Sequence, residues 1–204
     1  TVDELGLKQR LAQEGYTLID RDAAKDPAEK QALMHQALSC GTFLTSSNAI
    51  SKDGQLVNID GMGNRVAAMC FGPRQVVVIA GMNKVLGTLD DAVARARNVA
   101  APANAQRFGL STPCGLTGQC GDCTSPDCIC SKLVITRFCM PAGRIKVILV
   151  GDAAMNPYEL REKQYDWRNQ RYGPSGLEWL ELFKKHFPYL IWLNPEPLPA
   201  FQDF

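Results

Sequence analysis

The sequence predicts an α/β fold: a layered, mainly parallel sheet flanked by helices. Three observations carry this expectation. Strand-like runs alternate with helical patterns along most of the chain. Two runs, QVVVIAG at 75–81 and IKVILVGD at 145–152, read as apolar strands of the kind covered on both faces. Helix starts carry recognisable caps, as at Asp26-Pro27 and at Thr88.

The elements follow in order. Residues 1–15 read as a helix, with Thr1 and Glu4 in capping-box spacing and Gly15 as the stop. YTLID at 16–20 reads as a short strand. The next helix starts at Asp26, with Pro27 at its first position and Glu29 three after the cap, and Gly41 follows its end. TFLT at 42–45 is strand-like, and NAIS, KDGQ and LVNID read as two short strands around an Asp-Gly turn. GMGNRVAAMCFG breaks the second strand with two glycines and turns helical. Thr88 with Asp91 opens a helix predicted to run to Pro102. KLVITRF and IKVILV are strands, 175–187 is an amphipathic helix with Ser175 and Glu178 as its capping box, and YLIWL is a last strand. The tail NPEPLPAFQDF is Pro-rich.

Composition excludes several classes. The 204 residues are 46% hydrophobic and 21% charged, enough to bury a sizeable core. Lys+Arg of 22 against Asp+Glu of 21 gives no overall pull toward nucleic acid or a membrane surface. No apolar run approaches the roughly 20 residues that span a bilayer. The first ten residues, TVDELGLKQR, are too polar for a signal peptide, so a reducing, cytoplasmic setting is expected. The two histidines, His35 and His186, lie outside any HExxH or GxSxG context and are expected to be structural or solvent-facing. There is no P-loop, and Val66 stands where a dinucleotide fingerprint after Gly61 and Gly63 needs a third small residue.

Two constellations remain. The first lies at 48–65, NAISKDGQLVNIDGMGNR. Asn48 and Asn58 offer amides, and Asp60 offers a carboxylate suited to acid/base work. Gly61 and Gly63 let main-chain N–H groups approach a ligand, while Asn64 and Arg65 sit where a helix start favours an anion. Asn83 and Lys84 follow the buried 75–81 strand, at the strand end where open α/β sheets bind ligands. The competing reading is a hairpin whose polar residues satisfy turn geometry alone.

The second constellation is Cys114-x5-Cys120-x2-Cys123-x4-Cys128-x1-Cys130. Its central C-x2-C suits two thiolates on one metal, either zinc or an iron–sulfur cluster. Cys128 and Cys130 are close enough in sequence that one of them is expected to be spare, which leaves Cys114, Cys120, Cys123 and Cys130 as the ligand set. The competing reading is a set of free or pairing thiols in a loop. Cys40, Cys70 and Cys139 are expected as small buried hydrophobes.

The runs TSSNAISKDGQLVNIDGMGNRVAAMCFGPRQVVVIAGMNK, APANAQR, TPCGLTGQCGDCTSPDCIC and GRIKVILV resemble the LUD-domain proteins, a family linked to lactate utilisation. The resemblance covers residues 1–151 and implies a fold similar to the sugar-phosphate isomerases and CoA transferases. It also implies a cytoplasmic role in oxidising lactate beside iron–sulfur partner proteins. In that family the polar turn lines the presumed pocket, which carries over to Asn48, Asp60, Gly61, Gly63, Asn64, Arg65, Asn83 and Lys84. Cys114, Cys120, Cys123 and Cys130 match the cysteine pattern of one branch, with Cys128 as an addition. The family pattern also has a Gly-rich strand–turn before the stretch matching TVDELGLK. Residues 147–204 instead resemble the end of a von Willebrand factor A-like domain, with Asp152 at the metal-site position. No DxSxS accompanies it, so no Mg²⁺ site is expected, and the domain division falls at 151/152.

Together these give a LUD-type subunit of a lactate-oxidising system that binds a small anionic metabolite. It would assist redox chemistry without supplying the electron acceptor, since no flavin or NAD fingerprint is present. The alternatives are an isomerase or acyl-CoA-type enzyme using Asp60, and a non-catalytic interaction module with a structural metal.

Overall fold

The computed structural model describes residues 6–150 and 191–193. The predicted helix at 175–187, Asp152, His186 and the capping box at Thr1 and Glu4 lie outside the described residues.

The α/β class and the parallel sheet are as expected. Strands β1 (Thr42–Thr45), β4 (Gln75–Gly81), β7 (Ile145–Val150) and β8 (Ile191–Leu193) form one sheet in the order β1-β4-β7-β8, every pair parallel. What strand–helix alternation does not reveal is a second sheet. Here β5 (Val85–Leu86), β2 (Ala49–Ser51), β3 (Leu56–Asp60) and β6 (Lys132–Thr136) pair in the order β5-β2-β3-β6. The hairpin β2–β3 is antiparallel as predicted, and Gly54 supplies the positive φ in its turn.

The sheets share a core. Ile50 and Leu56 of the second sheet pack with Val76, Val78, Ala80, Ile145, Val147 and Leu149 of the parallel sheet. The period of two explains this, because the alternate β3 residues Val57 and Ile59 face the other way. They pack on Ala92, Ala96 and Ala101. Each large side chain so buried contributes about 1.5–3 kcal/mol relative to exposure.

Those alanines belong to one continuous helical rod. It comprises α4 (Leu89–Arg95), a π turn at Ala96–Ala100 and α5 (Ala101–Arg107). Thr88 and Asp91 close the predicted capping box. The helix does not end at Pro102, which is buried. In a regular helix the proline ring would crowd the carbonyl of Asn98. The wider π turn just before it takes up that crowding, so the rod continues.

The N-terminal elements are α1 (Leu7–Gln13) and α2 (Pro27–Ala37), the second capped by Asp26 through the Glu29 amide at 2.8 Å. The strand predicted at 16–20 does not form. Tyr16 is 62% exposed, and the run at 16–20 pairs with no strand among the described residues. Helix α3 (Asn64–Cys70) follows β3, and α6 (Pro113–Thr117) lies within the cysteine stretch. Of the three scattered cysteines only Cys139 is buried, whereas Cys40 is half-buried and Cys70 exposed.

Candidate functional site

Strands β1 and β4 run in the same direction, so the loops at 46–48 and 82–84 leave the same edge of the sheet. The β3–α3 bend reaches this edge from the second sheet. The polar residues of the first constellation meet there, around Arg65.

The half-buried Arg65 is a hub. Its Nη1 donates to Asn58 Oδ1 at 2.7 Å and to the Ser46 carbonyl at 3.0 Å. Its Nη2 donates to Asn48 Oδ1 at 2.6 Å and to the Ile59 carbonyl at 2.8 Å. Asn48 Oδ1 also accepts the Ile59 amide at 3.0 Å, which ties the loop after β1 to β3. Burial lowers the Arg65 pKa from the ordinary guanidinium value, and the charge of Asp60 opposes that shift.

The bend itself is closed by the chain. Asp60 accepts the amide of Gly63 at 2.9 Å on one carboxylate oxygen, and those of Arg65 and Val66 at 3.1 and 3.2 Å on the other. Asp60 is therefore the cap of α3. Gly63 precedes that helix in the left-handed region at φ 94°, which only glycine adopts without strain. The expected cradle, in which main-chain amides and the Arg65 fork point at a bound anion, is thus filled internally. Both carboxylate oxygens of Asp60, the expected acid/base, are engaged by main-chain amides. Gly61 also has a structural cause. A Cβ there would lie 3.1 Å from Ile129 Cα and 3.4 Å from the Cys128 carbonyl, so the cysteine segment needs the space. Asn64 is the first residue of α3.

The other polar residues form a second tier. Lys84 Nζ donates to Ser46 Oγ at 2.8 Å. Arg95, on the capped helix, donates through Nε to the Asn83 carbonyl at 3.2 Å and through Nη1 to the Asn48 carbonyl. Burial lowers the pKa of Arg95 too. One network therefore links Asn83, Arg95, Asn48, Arg65, Asn58, Ser46 and Lys84. Among the described residues, both guanidiniums bond only to neutral acceptors, and the ion pairs lie elsewhere. Two polar atoms in this network are buried without a partner among the described residues: Asn58 Nδ2 and Asn83 Oδ1. Asn58 is 1% exposed, and an unmatched buried amide typically costs about 1–3 kcal/mol.

Sequence reasoning passed over Ser46 and Arg95. Ser46 had a legible signal, because it directly follows the first parallel strand. Arg95 had none, because its reach across to Asn83 and Asn48 depends on where the rod packs.

The cysteines gather differently from the expected ligand set. Cys128 and Cys130 are in contact, Sγ to Sγ 3.1 Å, and the Cys130 amide donates to Cys128 Sγ at 3.4 Å. Burial, then the hydrogen bond and charge of Cys128, push the Cys130 thiol up to about 12. Cys114 is buried, with its sulfur 3.4 Å from Thr112 Oγ1. Arg97 pairs with Asp122 and has Cys120 beside it. Among the described residues, no three His, Cys, Asp or Glu side chains are arranged to hold a metal ion. The charges of Cys120 and Cys114 also act on the Cys130 thiol, so these sulfurs lie in its neighbourhood. The pair that sequence spacing set apart as too close is the pair in contact.

The two constellations also touch. Asp60 pairs with Lys132 in the β3–β6 ladder, and Ser131 Oγ and Lys132 Nζ each donate to the Gly61 carbonyl at 2.6 Å.

The polar loops thus collect at the carboxyl edge of the parallel strands of an α/β protein. The chain belongs to the LUD-domain family, whose family model, described as LUD domain, matches residues 1–150. No curated protein and no solved structure matches the chain. No helix among the described residues is long and apolar enough to cross a membrane.

Proposed function

We propose that this LUD-domain protein serves lactate utilisation by holding a small carboxylate at the carboxyl edge of the parallel sheet, beside the Arg65 hub. The observation that supports this best is Asn58 Nδ2, a fully buried amide donor without a partner among the described residues, next to a guanidinium that bonds there only to neutral acceptors. Such a setting favours an acceptor that brings negative charge. A 2-hydroxy acid would match the other orphan as well. Its carboxylate accepts from Asn58 Nδ2 and Lys84, and its hydroxyl donates to Asn83 Oδ1. Arg65, Arg95 and Asn48 would act by position, holding these groups and supplying the local field. In this reading the protein is a subunit of a lactate-oxidising system, and iron–sulfur partner proteins carry the electrons away.

The test is calorimetric titration of the full chain with L-lactate, with pyruvate and inorganic phosphate in parallel. Saturable binding of the carboxylates, lost in Lys84→Ala, is the expected result. Binding of none of the three, or equal binding by the variant, overturns the reading.

A further inference from the structure

We propose that Cys128 and Cys130 form a reversible dithiol–disulfide site, oxidised by a low-molecular-weight disulfide. The sulfurs are already in contact at 3.1 Å, and a covalent bond needs about 1 Å of further approach. Both thiols are half-buried, so a small reagent can reach them while the surrounding protein shields the product.

The segment that carries them is anchored at both ends. The Cys128 amide donates to the Ser125 carbonyl at 2.9 Å. On the other side Ser131 holds the Gly61 carbonyl, and the backbone at 128–129 lies against Gly61 itself. This is a positioned pair, not two thiols that meet by chance in a floppy loop.

The hydrogen bonds also assign the order of attack. The hydrogen bond from the Cys130 amide to Cys128 Sγ fixes that sulfur in place, and it assigns Cys128 as the nucleophile and Cys130 as the resolving thiol. The Cys128 thiolate attacks one sulfur of R–S–S–R, forming a mixed disulfide and expelling RS⁻, which takes up the proton that Cys128 gave up. Cys130 then loses its proton and attacks Cys128 Sγ. The protein disulfide forms, and the second RS⁻ leaves as RSH. Two electrons pass from the two protein thiols to the reagent, and both protons end on the two RSH molecules.

This inference is independent of the carboxylate reading, since it uses none of Asn58, Asn83 or Lys84. The experiment treats the reduced full chain with oxidised glutathione in the absence of oxygen, followed by intact-mass and peptide mapping. The expected product has lost two hydrogens, with the link mapped within residues 128–130, and dithiothreitol reverses it. Cys130→Ser should instead trap one glutathionyl group on Cys128, and Cys128→Ser should trap far less. A disulfide mapped to Cys120 and Cys123, or no trapped adduct in Cys130→Ser, overturns the proposal. So does zinc bound at one equivalent that shields four of the five thiols from oxidation.

Discussion

The bend at 60–65 and the cysteine stretch at 114–130 both look, as sequence, like loops built to grip something. They differ in what is left over once the chain has folded. In the bend, one carboxylate takes three amides and one guanidinium takes four oxygens, so the local polar groups are matched by the protein itself. In the cysteine stretch, two sulfurs meet each other, Cys114 lies against Thr112 and Cys120 lies beside Arg97. Glycines and charges in a turn therefore do not by themselves identify a ligand site. The informative atoms are those that folding leaves buried and unmatched, and near the bend that atom is Asn58 Nδ2.

The bend is most vulnerable at its hub. Arg65→Ala leaves Asn48, Asn58 and two main-chain carbonyls without their donor. Urea unfolding should show a loss of about 3–5 kcal/mol. Arg65→Lys should recover little, because an ammonium cannot reproduce the planar fork. Next in size, Asp60→Asn should cost about 2 kcal/mol by the same measurement, since one of its two accepting oxygens becomes an amide nitrogen. Gly61→Ala tests the contact between the two regions. The added methyl pushes on Ile129 Cα and should cost about 1 kcal/mol, and it should also slow Cys128–Cys130 oxidation by shifting their backbone. The smallest effect is expected for Cys123→Ser, within about 0.5 kcal/mol of wild type, because the half-buried Cys123 takes no part in the Cys128–Cys130 contact.

Much of the fold is legible because its cues are local. Asp26-Pro27, the Thr88 and Asp91 box and the Asp-Gly hairpin each act within a few residues, and each forms. The second sheet was hidden because β5 has two residues and β3 pairs with a strand more than seventy positions away. The run at 16–20 misled because alternation gives no information on whether a partner strand is available. At the site, the cluster of polar residues around Arg65 was legible, but its internal closure was not. That closure depends on Asn48 and Ser46 arriving from another strand end. Among the cysteines, spacing argued against Cys128 and Cys130 acting together as ligands, and it gave no hint that close spacing instead sets the two thiols against each other.

The bend is scaffold, and in the proposed function binding belongs to the groups that folding leaves unmatched. Asn58→Asp tests it most directly, because the replacement keeps an oxygen for Arg65 while turning the orphan donor into an anionic acceptor. Titrated with L-lactate beside wild type, the variant should lose at least about tenfold in affinity, ~1.4 kcal/mol, with its melting temperature little changed. Lactate affinity equal to wild type in a folded Asn58→Asp protein would show that the unmatched amide takes no part in binding.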